Sequence, residues 1–348
     1  MNVQKVNRSV LVWLWIGFGM IVIQILIGGV TRLTGSGLSI TKWDIITGTI
    51  PPLNASEWSV AYELYKETPQ YHKINHGMSL GEFKFIYFWE YFHRLWARLM
   101  GLVFIIPFAF FLFKKWINKT LLKRLITVLV LAAIVASFGW IMVASGLVDR
   151  PWVSAYKLSF HLILAVILLA YLFWTIMWVQ NRNYTVDKKG FYLSRILSML
   201  LFLQIFIGGM VSGMKAALLY PSFPLMKGEW IPSIVFNTSL WNVDNFINYE
   251  KSVLFPTLIH TLHRYLALIL VIVLIYIFVR FKHVWLRTIL TFTHRLFITL
   301  FLFQIALGIL TVINSVGMVP VGWGVAHQIN GILLFIVSLM YSYTFKKV

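Results

Sequence analysis

The chain has 348 residues, 59% of them hydrophobic and 12% charged, with no cysteine and a formal net charge of +19. Soluble domains carry about a quarter charged residues, and mean hydropathy here is +0.81, so the composition is that of a membrane protein. The lack of cysteine excludes disulfides, thiolate haem ligands and iron–sulfur clusters. In a soluble chain the charge would suggest nucleic acid, but no basic stripe interleaves with exposed aromatics, and nucleic acid is not an expected partner.

Apolar runs long enough to cross a hydrocarbon core of about 30 Å place eight spans at 10–30, 91–113, 122–143, 159–179, 193–212, 256–280, 291–313 and 324–344. The first begins within about ten residues of Met1, which leaves no room for an Arg-rich transit peptide and favours a bacterial plasma (inner) membrane over an organelle. Two connections are long, 31–90 and 213–255. The first opens with Gly, Pro and Trp in place of a solvated polar tract, and the second carries Tyr220, Pro221, Phe223, Pro224, Trp230 and Pro232. Both are expected to form short amphipathic pieces over the bundle mouth.

Orientation follows from Lys and Arg. With the N-terminus inside, the inner segments hold Lys5, Arg8, Lys114, Lys115, Lys119, Lys123, Arg124, Arg182, Lys188, Lys189, Arg195, Arg280, Lys282, Arg287, Arg295, Lys346 and Lys347, against Asp187 alone. The other 13 of the 30 basic residues share the outer side with 10 of the 11 acids. By the positive-inside rule both termini are cytoplasmic and the long loops external.

The chain reads as two four-helix halves, 1–180 and 181–348. Gln24, Gly28 and Gly29 of span 1 recur as Gln204, Gly208 and Gly209 of span 5; His93-Arg94 in span 2 recurs as His263-Arg264 in span 6; and His161 in span 4 recurs as His327 in span 8. The expected fold is all-α, an integral membrane protein of eight transmembrane helices in two pseudo-symmetric bundles.

Nine histidines are present. His72, His76, His283 and His294 sit in or beside loops and read as structural, and His260 is left open. His93, His161, His263 and His327 each lie near the outer start of a span that runs inward, and ionisable residues inside spans are costly and mark functional sites. The repeat pairs His93 with His161, and His263 with His327. Imidazole alone does not choose a metal. Two histidines per site from separate helices, with apolar neighbours and no carboxylate or cysteine ligand, suit a flat macrocycle better than a small ion needing three or four ligands. Two haem sites toward the outer face are therefore expected. Arg94, Arg264 and Arg98 are placed to meet haem propionates, or else to snorkel.

Glu90 lies one turn before His93, and the matching position in the second half is His260. This asymmetry suggests chemistry in one half, with electron transfer or a structural role in the other. A carboxylate in so apolar a site is expected to have a raised pKa. The alternative is an interfacial Glu paired with Arg94 or Lys84.

The stretches GGVTRLTGSGLSITKWDIITGTIPPL, MSLGEFKFIYFWEYFHRLWARLMG, GWIMVASGL, YKLSFHL, YPSFPLMKGEWIP, LHRYLA and AHQINGILL together resemble the haem A synthases (the CtaA family), in their cysteine-free form close to the mitochondrial enzyme. The resemblance covers nearly the whole chain in order. It implies that His93 and His161 surround the substrate haem O, that His263 and His327 ligate a resident haem b, and that Glu90 is a catalytic acid/base. The implied reaction oxidises the C8 methyl of haem O through an alcohol to the formyl of haem A, for terminal oxidases. Implied partners are the lipid bilayer, the haem O synthase and an unidentified electron acceptor. The chain departs from other members in lacking loop cysteines, and in carrying Val135 and Ala136 where related chains have a Gln ahead of the span-3 Gly-Trp pair. The competing readings are a dihaem b-type electron carrier, which needs no Glu90, and a transporter with histidine proton relays, which the lack of acids inside the spans disfavours.

Overall fold

A computed structural model describes residues 6–41, 47–146, 151–180, 185–186, 188–281 and 288–346. Lys5, Arg182, Asp187, Lys282, Arg287 and Lys347, which enter the orientation argument, lie outside the described residues, as does His283. Eight described helices are long and apolar enough to cross a membrane. They are α1 (Arg8–Leu33), α4 (Leu80–Phe113), α5 (Lys119–Gly146), α6 (Ala155–Val179), α7 (Lys188–Gly213), α9 (Leu254–Phe281), α10 (Thr288–Ile313) and α11 (Val321–Thr344). The loops add α2 (Ala55–Lys66), α3 (Pro69–Lys73), α8 (Val243–Ile247) and several 3₁₀ turns. This is a multi-pass, almost wholly helical membrane protein.

One helix runs well beyond its expected span. The second span was placed from 91, but α4 begins at Leu80, where Ser79 and Glu82 close a capping box. Its 34 residues give a length of about 51 Å at 1.5 Å per residue, well beyond the roughly 30 Å hydrocarbon core. The extra turns serve a loop. Tyr65 of α2 and Phe83 and Ile86 of α4 form a buried cluster, ringed by Trp58, Tyr62, Tyr71, Met78 and Tyr87. Helix α2 is capped by Asn54, whose side chain accepts from Glu57 N, and α3 by Thr68 with Pro69 in its first turn. Gln70 Nε2 then donates to Gly35 O at 2.9 Å, tying α3 to the chain that leaves α1.

By contact the chain divides into two compact units, Met1–Lys157 with Ile167–Val179, and Leu158–Val166 with Gln180–Val348. In the first, α1 packs on α4, and Trp13 of α1 meets Phe104 and Phe111 of α4 at ring-centroid distances of 4.8 and 5.5 Å. In the second, α7 packs on α9 and α11, and α10 on α11. The first half of α6 joins the second unit: Ser159 Oγ donates to Phe206 O at 2.5 Å, and a Cβ at Gly209 would lie 2.6 Å from that hydroxyl, so only glycine lets the helices approach this closely. Elsewhere in the second unit, Ser198 of α7 bonds Ser338 and Ser342 of α11, and Thr185–Val186 pairs in parallel with Phe345–Lys346.

Candidate functional site

Glu90 is 3% exposed, and every contact it makes comes from a donor. Its Oε2 accepts from Ser39 N at 2.6 Å, Ser39 Oγ at 2.7 Å and Ile40 N at 2.9 Å. Its Oε1 takes Arg94 Nη2 at 2.5 Å, and the same nitrogen also donates to Ile40 O at 3.2 Å. Two successive backbone N–H groups aimed at one oxygen make a small anion cradle. The apolar surroundings expected for this carboxylate are therefore not what it has, and Lys84 instead lies over the Trp58 ring. The carboxylate and guanidinium, one turn apart on α4, together fasten the first long loop to the helix that carries His93.

The second unit repeats this arrangement with different chemistry. His260, one turn before Arg264 on α9, accepts from Arg264 Nε at 3.2 Å through Nε2. The two terminal nitrogens of Arg264 donate to Pro224 O at 3.2 Å, Tyr220 O at 3.2 Å and Ser222 O at 2.8 Å. Arg264 thus fastens the second long loop as Arg94 fastens the first. His260, left open on sequence, orients that arginine and is 1% exposed. Arg98, a turn beyond Arg94, is half-buried.

The helices that carry His93 and His263 are also held from a neighbour. Gln24 Nε2 donates to His93 O at 3.1 Å and Gln204 Nε2 to His263 O at 2.9 Å. Four residues on from each Gln, where the same helix face returns, a glycine seats the imidazole. A Cβ at Gly28 would lie 3.2 Å from His93 Nε2, and one at Gly208 3.1 Å from His263 Cε1. The same pair recurs on α10, where a Cβ at Gly308 would lie 2.9 Å from His327 Cε1. Here Gln304 Nε2 reaches His327 Nε2 at 3.3 Å. Asn330 Nδ2 donates to both Leu300 O and Gln304 Oε1, which turns the Gln304 amide nitrogen toward the ring. His327 Nε2 is then an unprotonated acceptor, and the Gln304 hydrogen bond would have to open for that nitrogen to take a metal.

His263 and His327 are brought together. Their ring centroids are 6.3 Å apart at an interplanar angle of 74°. Imidazole nitrogens bind metals at about 2.0–2.1 Å, and adding roughly 1.2 Å from nitrogen to ring centre on each side puts two rings on opposite faces of one ion about 6.4 Å apart. The observed spacing matches. Both Nδ1 atoms are buried without a hydrogen-bond partner. Among the described residues no three His, Asp or Glu converge on a point that could hold a bare ion. The pair fits a planar macrocycle ligated from both faces. His93 belongs to the first unit and His161 to the second, on the segment Leu158–Val166.

The profile of the COX15-CtaA family, described as a cytochrome oxidase assembly protein, matches residues 11–339. The chain belongs to the COX15-CtaA family. Similar curated proteins are named heme A synthase. That of Nitrosospira multiformis is 38% identical over 347 residues, 98% of this chain and 95% of its own. That of Flavobacterium johnsoniae is 37% identical over 352 residues, 99% of both chains. That of Rickettsia felis is 39% identical over 331 residues, 92% and 94%.

Sequence reasoning on this COX15-CtaA chain missed three features. Ser39 and Ile40 meet Glu90 across some 50 positions, which no local pattern reveals. The loop-fastening role of both arginines depends on carbonyls, which carry no sequence signature. The Gln304–Gly308 pair was legible, since it repeats the spacing of Gln24–Gly28 and Gln204–Gly208. His294 is buried and bonds Tyr341 OH through Nδ1 at 3.1 Å, and His72 and His76 are exposed.

Proposed function

We propose that this protein is a haem A synthase, oxidising the C8 methyl of haem O through an alcohol to the formyl group of haem A for terminal oxidases. The observation that carries the reading is the 6.3 Å spacing of His263 and His327, which suits a bis-imidazole haem. In this reading the C-terminal half, 181–348, holds haem b between those two histidines, and the N-terminal half, 1–180, holds the substrate between His93 and His161. Bound there, haem b supplies a one-electron carrier. Gly208 and Gly308 leave room for the ligating rings, and Gln204 and Gln304 fix the ligand helix and the ring, so the imidazoles are set before the porphyrin arrives.

Glu90 is the proton-handling group of the substrate half. It lies a turn from His93, and it would take a proton from the methyl or from an attacking water. Since Oε2 is engaged by three loop donors, the proton would come to Oε1, and the Arg94 contact must give way for it. The guanidinium groups of Arg94 and Arg264, already fixed by loop carbonyls, and Arg98 beyond them supply positive charge for the porphyrin propionates.

The positive-inside bias puts both termini in the cytoplasm and the haem sites toward the outer face of the plasma membrane. A haem O synthase must supply the substrate, and an electron acceptor must take the electrons released. The test is pigment extraction from protein expressed with a supply of haem O. Haem A supports the reading, and haem b alone would make the protein an electron carrier.

A further inference from the structure

Residues 90 and 260 hold the same place in the two units. Each lies one turn before an arginine that follows a ligand histidine, and each side chain contacts that arginine. They differ in charge. Glu90 and Arg94 make an ion pair, so their charges cancel. His260 meets Arg264 Nε with an unprotonated Nε2, so it is a neutral imidazole with its proton on Nδ1. The remaining contacts of Arg264 are backbone carbonyls, so no carboxylate of the protein neutralises it; porphyrin propionates would add the same negative charge at either site, so the difference between the sites is the carboxylate of Glu90. Among the described residues the ion pairs are Lys66–Glu63 and Arg94–Glu90, and no carboxylate lies within salt-bridge distance of Arg264.

We infer that this exchange of a carboxylate for a neutral imidazole sets the two ligand sites at different electrostatic potential, the unneutralised Arg264 favouring the reduced form of an iron porphyrin held by His263 and His327. The inference rests on the proposed function, which makes those histidines haem ligands. Reduction lowers the charge on the iron by one, so a nearby fixed cation stabilises the reduced state relative to the oxidised one. In the first unit Glu90 cancels that effect of Arg94. An electron is thereby favoured on the C-terminal site over the N-terminal one as far as these groups decide it, which is the direction needed if the substrate is oxidised in the N-terminal half.

The magnitude follows from distance. Residue 260 is one helical turn from the ligand at 263, so a charge placed there lies on the order of 10 Å from the iron. At an effective dielectric of about 20, one unit charge at that distance changes the oxidised-to-reduced ratio on the order of tenfold. For a one-electron couple tenfold corresponds to about 59 mV.

Potentiometric titration of purified haem-loaded protein, followed at the haem b absorption band, tests this. His260→Glu should lower the midpoint by about 59 mV, the tenfold change above. His260→Gln, neutral and able to accept from Arg264, should move it by less than a third of that. Glu90→Gln in protein loaded with haem O should raise the midpoint of the haem held at His93, which keeps the inference open to refutation should the His260→Glu protein bind no haem. Haem retained with an unshifted midpoint in either charge-changing variant, or equal shifts from Glu and Gln at 260, would overturn it. Wild-type protein lacking a bis-imidazole haem signal would instead remove the ligand reading, and this inference with it.

Discussion

Glu90→Gln is the variant whose outcome the structure constrains most. The carboxylate is buried and holds four donors, three from Ser39 and Ile40 on one oxygen and Arg94 on the other. A glutamine can keep its oxygen toward the loop, but its amide nitrogen then faces the guanidinium, and Arg94 is left without its counter-charge. Removing one member of a buried pair costs about 3–5 kcal/mol, far above the limit of about 1 kcal/mol for an exposed pair. The loss should fall on the loop that the pair fastens. At about 1.4 kcal/mol per decade, a 3 kcal/mol loss of local stability speeds amide exchange at Ser39 and Ile40 about 10²-fold. Ser39→Ala removes one hydrogen bond to the carboxylate, worth about 1.5 kcal/mol at the low end of the range for charged partners, and should speed the same amides about tenfold. Hydrogen exchange with mass spectrometry over residues 36–41 reads both. Unchanged protection in Glu90→Gln would refute the loop-fastening role. The same variant weighs catalysis against fastening: loss of a general acid/base slows a step about 10²–10⁴-fold. A fall in haem A of that size with protection intact assigns proton transfer to Glu90, whereas near wild-type haem A removes it from the mechanism.

The other predictions are more local. Reporter fusions at Glu57 and Lys119 should lie on opposite sides of the membrane, and an external Lys119 would overturn the orientation. His263→Ala and His327→Ala should each remove most bound haem b, while His93→Ala keeps it and abolishes turnover; equal haem loss from all these variants would favour the electron carrier. Gly308→Ala places a methyl 2.9 Å from His327 Cε1 and must push the ring aside, an overpacking that costs about 1–3 kcal/mol. It should change the electron paramagnetic resonance g-values of the bound haem, and an unchanged spectrum would count against the glycine seat.

What could be read from the sequence was set by periodicity and hydropathy. All eight spans are found near their expected places because a hydrocarbon core demands long apolar runs. The N-terminal extension of α4 beyond its span was not legible for the same reason. Glu82 and Lys84 end the apolar run, yet Ser79 caps the helix twelve residues before the span expected from 91 and Phe83 packs under α2, outside the reach of a hydropathy argument. The pairing of His263 with His327 followed from the repeat, and the structure adds its distance. The surroundings of Glu90 did not follow, because its partners come from a loop some 50 residues away and are mostly backbone groups. His260 was undecidable on sequence, since its role appears only through Arg264 and the carbonyls of Tyr220, Ser222 and Pro224.

The central claim is that the protein converts haem O to haem A on a scaffold that also holds haem b between His263 and His327. It is tested most directly by expressing the chain with a haem O synthase in a host that makes no haem A, then extracting and separating the pigments of the purified protein. The account predicts haem A together with haem b, and with Glu90→Gln haem b but little haem A. Haem b alone from the wild-type chain, with haem O present in the membranes and left unaltered, would contradict it.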